Sequence, residues 1–423
     1  MNPVLVKDYM VEWKKRRPVV GIKRELNIPK RLDKIISIIG PRRSGKTYFF
    51  HQLISEDVEN SLYLNFEDTR LIDVNFIEIR DLIRFYIEIF GKNPVNIFFD
   101  EVQNIAGWEK ALRTLLDLQM YNLYVTGSSS KLLSREIATQ LRGRTFSYLL
   151  LPFSFREFLI AKKKSVSTPL TLDELAYVRG LLREYLEYGG FPEVVLECSE
   201  KDRILKEYSE MILFKDIVER HKLRNISLAR LLLNFFLQNF SNEFSVNRIL
   251  RSVKICNFGK NTVYSYLEKV QDSVSVFFLN RFSPKVYQRM SWPKKVYLCD
   301  TGLARVVKVS ENIGKLMENV VYLELLRSTN NKPLLEIYYW RNSQQKEVDF
   351  LLKEGLIVEH LIQVTYASGK DEVENREIKS LIEASERTGC KNLSIITWDY
   401  EDEIKVEDRI IRFIPLWKWL LKI

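Results

Sequence analysis

Gly40-Pro41-Arg42-Arg43-Ser44-Gly45-Lys46-Thr47 follows the apolar run Ile35-Ile36-Ser37-Ile38-Ile39 and precedes Tyr48-Phe49-Phe50-His51-Gln52-Leu53-Ile54. The eight residues fit G-x-x-x-x-G-K-[ST], and a buried strand before them with a helix after them is the setting that pattern needs. Glycines there let the backbone fold into a nest of N–H groups aimed at phosphates, and the helix adds its positive N-terminal end. Gly40, Pro41, Arg42, Arg43, Ser44, Gly45, Lys46 and Thr47 therefore read as a nucleotide-binding loop. Lys46 is expected to reach the β- and γ-phosphates of ATP, and Thr47 to hold Mg²⁺.

Downstream, Ser61-Leu62-Tyr63-Leu64-Asn65-Phe66 ends in Glu67-Asp68, and Asn96-Ile97-Phe98-Phe99 runs into Asp100-Glu101. These strands alternate with helical segments, which predicts a βαβ series and a parallel sheet. An apolar strand ending in two carboxylates is the second signature of a P-loop hydrolase. Asp100 is expected beside the Mg²⁺ held by Thr47, with Glu101 polarising the attacking water as general base; an acidic cap on the next helix is the alternative. A glutamate directly after the metal-site aspartate favours hydrolysis over binding alone.

A helix over Gly107 to Asp117 leads to the strand Leu123-Tyr124-Val125-Thr126 and then Gly127-Ser128-Ser129-Ser130. Thr126 and Ser128 are candidates to hydrogen-bond the γ-phosphate or the attacking water, against an ordinary Gly-Ser turn. In Leu141-Arg142-Gly143-Arg144, Arg142 and Arg144 are candidates to stabilise charge on the transferred phosphoryl group, from within the chain or from a neighbouring subunit. Plain surface arginines are the competing account.

With 423 residues, 46% hydrophobic and 28% charged, the chain has room for two or three folded domains. No apolar run approaches the roughly 20 residues of a membrane span, and the N-terminus lacks a signal-peptide core, so a cytoplasmic protein is expected. The four cysteines (Cys198, Cys256, Cys299, Cys390) stand far apart, and with three histidines they argue against zinc sites and a disulfide framework. The net charge of +10 is concentrated: residues 201–300 hold 18 Lys+Arg against 9 Asp+Glu. Such a concentration is the footprint of a polyanion-binding module, double-stranded DNA above all, or else a solvated face. Residues 1–33, with Lys14-Lys15-Arg16-Arg17 and Lys30-Arg31, look like a leader packed on the ATPase core, with a nucleic-acid contact as the alternative.

Together, GPRRSGKT, FFDE followed by VQNIAGWEKALRTLLD, TGSSSKLL, LRGR and LPFSFREFL resemble the archaeal and bacterial AAA+-type ATPases of the AAA_14 group. Tyr188-Gly189-Gly190-Phe191-Pro192-Glu193, Phe214-Lys215-Asp216-Ile217-Val218, Glu318 to Leu325 and Glu347-Val348-Asp349-Phe350 continue the likeness over nearly the whole chain. The resemblance implies ATP use and a C-terminal domain with a restriction-endonuclease-like core. It implies no biological role.

The expected division is a P-loop ATPase domain over 1–165, a helical lid over 166–235, a winged-helix-like basic module over 236–310 and a nuclease-like α/β domain over 311–423. In the third segment Val246, Ile249, Leu250 and Val253, then Val263, Tyr266, Leu267 and Val270, recur at helical spacing around a Gly-containing turn, as in a helix-turn-helix. Lys260, Asn261, Thr262, Tyr264, Ser265 and Lys269 would face outward. Arg281, Lys285, Arg289, Lys294 and Lys295 would lie along a hairpin wing and neutralise phosphates; a helix pair for packing or protein contact is the alternative. An active nuclease of the implied kind would gather Glu318, Asp349 and a Glu-x-Lys pair around divalent metal. The Glu-x-Lys positions here are Gln363 and Thr365, so the domain reads as degenerate, unless Lys353 or Lys370 substitutes in space. The reading is an α/β, ATP-hydrolysing AAA+-type enzyme that couples its nucleotide state to DNA, with homo-oligomerisation open. A signalling switch acting on a protein partner and an ATP-dependent nuclease are the alternatives.

Overall fold

A computed structural model describes residues 1–29, 33–127, 143–164, 166, 169–197, 199–253, 258–307 and 312–423. They form two compact units, Met1–Leu150 and Leu151–Ile423. Among the described residues no helix is long and apolar enough to cross a membrane.

The first unit is built on β1 (Ile35–Ile39), β2 (Ser61–Asn65), β3 (Asn96–Asp100), β4 (Asn122–Gly127) and β5 (Thr145–Leu149), in the order β2-β3-β4-β1-β5. Every neighbouring pair is parallel, as the alternation of strands and helices predicted. β1 is buried along its whole length, which explains its unbroken apolar run. Around the sheet stand α1 (Pro3–Arg16), α2 (Lys46–Ser55), α3 (Ile79–Phe90) and α4 (Trp108–Asp117). The Asn2 side chain caps α1 by accepting from Val4 N at 3.0 Å, and Val6, Tyr9 and Met10 form its buried face. Arg70 pins that helix: its guanidinium lies 2.6 Å from Glu12, 2.8 Å from Asp68 and 4.9 Å from the centre of the Tyr9 ring. The basic leader thus contains a helix packed on the sheet's own unit; Lys30 and Arg31 lie outside the described residues.

The second unit opens with α5 (Phe155–Ala161), α6 (Leu172–Tyr188), α7 (Pro192–Leu196), α8 (Lys201–Met211) and α9 (Ile226–Gln238). The Ser-Phe-Arg-Glu run starts α5 as a capping box: Glu157 N donates to Ser154 Oγ at 3.1 Å and Ser154 N donates to Glu157 Oε2 at 2.9 Å. A small antiparallel sheet, β6 (Glu243–Phe244), β7 (Val276–Asn280) and β8 (Lys294–Leu298), has the order β6-β8-β7. It accompanies α10 (Val246–Val253), α11 (Lys260–Asp272) and α12 (Val286–Ser291). After α13 (Gly302–Arg305) and α14 (Ile313–Ser328) comes a larger mixed sheet. Its strands are β9 (Leu335–Arg341), β10 (Glu347–Glu354), β11 (Ile357–Val364), β12 (Leu393–Thr397), β13 (Asp402–Val406) and β14 (Arg409–Pro415). Their order is β13-β14-β12-β11-β10-β9, and α15 (Asn375–Thr388) and α16 (Leu416–Leu421) complete the unit. Trp340, Leu351, Leu361, Leu381, Ile395 and Phe413 centre its core.

The turn between α6 and α7 closes on a buried carboxylate. Asp300 accepts from Gly190 N at 2.7 Å and from Gly302 N at 2.9 Å. Gly189 has φ +75°, and a Cβ there would stand 1.7 Å from Asp300 Oδ1, so a side chain is excluded by both conformation and space. Burial raises the Asp300 carboxyl to about 7 although both amide donors oppose the rise. The folded state therefore holds a proton between pH 4 and 7 that the unfolded chain has released. This contribution is greatest at the acid end of that window and is lost as pH rises through 7. The melting temperature should fall from pH 5 to pH 8, and Asp300→Asn should flatten that fall by an amount on the order of a few kcal/mol at the unfolding midpoint; equal slopes in a pH series of thermal melts would refute the assignment.

Candidate nucleotide-binding site

The parallel sheet delivers its carboxyl ends to one edge, where the loop after β1 and the acid pair after β3 meet across β4. Gly40 opens the loop against the backbone: a Cβ would lie 2.1 Å from the Leu150 carbonyl oxygen, so only glycine fits. Arg43 (φ +64°) and Gly45 (φ +93°) both take left-handed backbone, a turn of the kind that points successive N–H groups to one side. Gly45 is the N-cap of α2, and Lys46 and Thr47 are its first two residues. The Lys46 side chain is buried, and its Nζ donates to the carbonyls of Gly40 at 3.1 Å and Pro41 at 3.0 Å. Arg24, ahead of the sheet, donates from Nη1 to the Ser44 carbonyl at 2.7 Å and from its backbone N to Gln52 Oε1 at 2.8 Å. It ties the loop to α2. Sequence reasoning missed it, because nothing marks Arg24 among the other basic residues of the leader.

Asp100 is the centre of the acid side, 1% exposed. Its Oδ2 accepts from Thr47 Oγ1 at 2.8 Å and from Tyr63 OH at 2.7 Å, and its Oδ1 accepts from Thr126 Oγ1. Burial, followed by the charge of Asp100, holds the Tyr63 phenol well above its usual pKa, so it stays a donor. Trp13 stacks on the Tyr63 ring at 5.0 Å and His51 meets it edge-on at 5.5 Å. Glu101 takes left-handed backbone (φ +52°), its N–H donates to Thr126 Oγ1 at 3.1 Å, and Gln103 donates to its carboxylate. Thr126 thus touches both acids. A hydroxyl and a carboxylate side by side at the start of a helix, below a nest of amides, are the donor set that suits Mg²⁺ bound with a nucleotide.

The remaining predicted residues are placed less uniformly. Ser128 and Arg142 lie outside the described residues. Arg144 precedes β5 at its amino end, where Ile35 N donates to the Arg144 carbonyl at 2.9 Å, and its guanidinium pairs with Asp117. Parallel pairing sets Ile35 opposite Thr145, so Arg144 stands at the opposite edge of the sheet from the loop. The expectation that it reaches phosphates on its own chain is corrected on that ground.

In the second unit Val263, Tyr266, Leu267 and Val270 are buried, and Lys260, Asn261, Thr262 and Tyr264 are exposed on α11, as their spacing predicted, whereas Ser265 and Lys269 are half-buried, with Lys269 Nζ donating to Ser265 Oγ. The expected hairpin forms, β7 pairing antiparallel with β8, and Lys285 beside it is exposed, but three of its five basic residues are engaged within the unit. Lys295 is buried among carboxylates, Arg281 donates to the Arg341 carbonyl, and Arg289 Nη1 donates to Tyr338 OH at 2.6 Å. Three further cations of residues 201–300 are paired nearby: Lys201 with Glu184 at 2.5 Å, Arg220 with Asp216 at 2.7 Å, and Arg230 with Glu210. Asp349 and Glu318 do come together, and Asp349 N donates to Gln363 Oε1 at 3.3 Å. Lys353 pairs with Glu336 at 2.6 Å and Lys370 is exposed in a short turn.

Residues 32–159 match the family model AAA_14, described as an AAA domain. Residues 179–312 and 313–419 match two domains of unknown function, the latter DUF4143. An uncharacterized protein of Methanocaldococcus jannaschii is 39% identical over 417 residues, 95% of this chain and 91% of that one. An uncharacterized protein of Haemophilus influenzae is 28% identical over 337 residues, 76% of this chain and 80% of its own. Among solved structures, a Walker-type ATPase of Pyrococcus abyssi gives a TM-score of 0.41 at 13% identity, covering 73% of this chain and 96% of that one.

If Arg24 braces the loop, Arg24→Ala should weaken binding of a fluorescent ATP analogue by about tenfold, equivalent to about 1.4 kcal/mol. The circular dichroism of the variant should match that of the parent; unchanged affinity would remove Arg24 from the site.

Proposed function

The chain belongs to the AAA-type P-loop ATPases, and on that premise we propose that it binds ATP with Mg²⁺, hydrolyses it, and couples the nucleotide state to duplex DNA held by α11. The observation that carries the reading is the direct Thr47–Asp100 hydrogen bond, 2.8 Å, beside Lys46 and Glu101. Thr47 and Asp100, the latter oriented by Tyr63 and Thr126, would hold Mg²⁺, which would supply charge neutralisation for the phosphates. The amides of Gly40 to Thr47 cradle the phosphates, and the Lys46 ammonium exchanges its two carbonyl partners for phosphate oxygens. Glu101 takes the proton of the attacking water as general base, its backbone fixed by Thr126.

DNA contact on this reading is narrow. Lys260 pairs with phosphate and Asn261 with a base edge, from the exposed side of α11. A phosphoryl-stabilising role for Arg144 belongs to a neighbouring copy in a homo-oligomer. The second reading, a nucleotide switch acting on a protein partner, is favoured by one observation: Lys201, Arg203 and Lys295 of the basic stretch pair with carboxylates from outside it.

Steady-state ATP turnover at one stated salt concentration, with and without duplex DNA, tests both. Lys46→Ala should abolish turnover in a folded chain, and Glu101→Gln should lower kcat by about 100-fold or more while ATP still binds. DNA should stimulate the parent, and Lys260→Ala should lower the salt dependence of DNA binding by about one unit of slope. Normal turnover in folded Lys46→Ala would end the ATPase assignment; turnover indifferent to DNA, with no DNA bound at moderate salt, would leave the protein-partner switch.

A further inference from the structure

Away from the nucleotide site, three carboxylates of the second unit close on one ammonium. Lys295 Nζ, from β8, lies 2.9 Å from Glu318 on α14, 2.6 Å from Glu347 and 2.8 Å from Asp349, both on β10. The ammonium donates hydrogen bonds to Glu318 and Asp349 and forms an ion pair with Glu347. The Lys295 side chain is 3% exposed. The carboxylates are satisfied from other directions as well: Tyr297 OH donates to Glu318 Oε1 at 2.6 Å and Val364 N donates to Asp349 Oδ2 at 3.0 Å.

We propose that Lys295 is the resident cation of this centre: its ammonium takes the place a divalent metal would need, and the centre works as a lock between β8 and the C-terminal sheet rather than as a metal-dependent catalytic site.

Dimensions favour this assignment. The three contacts are of hydrogen-bond length, whereas Mg²⁺ draws its oxygens to about 2.0–2.1 Å and needs about six of them. Among the described residues no group of three or more His, Cys, Asp or Glu side chains is arranged to hold a metal ion.

The lock is continuous with other ties between the hairpin and the C-terminal sheet. Phe282 N donates to the Tyr339 carbonyl at 2.7 Å, and Tyr339 OH donates to the Pro293 carbonyl at 2.6 Å. The β7–β8 hairpin is thereby held on both sides of its connecting loop and at Lys295 in its second strand. It cannot swing as a free wing.

The test uses the full-length protein without nucleotide. Native protein is treated with N-hydroxysuccinimidyl acetate, and acetylation is followed by mass spectrometry. Lys295 should react at least about 100-fold more slowly than exposed Lys260 and become equally reactive in denaturant; equal rates in the native state would overturn the proposal. In parallel, MnCl₂ alone is titrated into the parent and Asp349→Asn. The expected result is the same number of bound Mn²⁺ for both, with no Mn²⁺-dependent cutting of duplex DNA. A Mn²⁺ site, or cutting, present in the parent and lost in Asp349→Asn would also overturn it. Lys295→Met should melt at a lower temperature than the parent, and an unchanged melting temperature would refute the lock.

Discussion

The first unit depends on one constraint: a parallel sheet in which β4 separates β1 from β3. Because all five strands run the same way, the turn after Ile39 and the acids after Phe99 emerge on one edge. The intervening strand keeps them a strand's width apart, and the gap is bridged by side chains. Thr47 reaches from the helix that the loop begins, Thr126 from β4 itself, and Tyr63 from β2 on the far side, all to the one Asp100 carboxylate. A buried carboxylate with three hydroxyl donors has no freedom to turn. Geometry that would otherwise depend on a bound ligand is therefore present in the chain alone.

That arrangement links the site to a helix far from it in sequence. The Tyr63 ring that carries the hydroxyl is stacked on Trp13 of α1, and α1 is tied down by Arg70 through Glu12 and Tyr9. Displacing α1 would remove the face against which Tyr63 rests. The leader is thus a support for the Asp100 carboxylate, a role its basic composition does not announce.

How much of this was legible follows from how local each signal is. The loop, β1, β3 and Asp100-Glu101 are contiguous patterns whose strands are buried on both faces, so periodicity, length and motif agree. Arg24 and Tyr63 act through partners some 20 and 37 positions away, and a single sequence has no way to mark such pairs. For Arg144 the within-chain alternative is closed for a related reason: strand direction puts it at the end of the sheet opposite the loop. In the basic region, helical spacing identified the buried face of α11 correctly. Charge counting is coarser there, because a count weighs Lys295, with three carboxylate partners, the same as Lys260, which is exposed.

Lys295 shows why the second unit resists reading in linear order. Glu318, Glu347 and Asp349 belong to one stretch of the chain and their cation to another, so the acids alone invite a metal and the lysine alone invites a phosphate. Each expectation is reasonable for an isolated segment, and each is cancelled by the other once the strands pair. A metal is exchangeable and carries two charges; a lysine is tethered, carries one, and cannot leave without pulling β8 out of its sheet. Using a side chain as the cation makes the stability of the carboxylate centre independent of divalent ions in solution. It also makes the centre report on the position of the hairpin. The same three acids that would serve chemistry around Mg²⁺ serve attachment around an ammonium, and it is the residue opposite them that decides between the two.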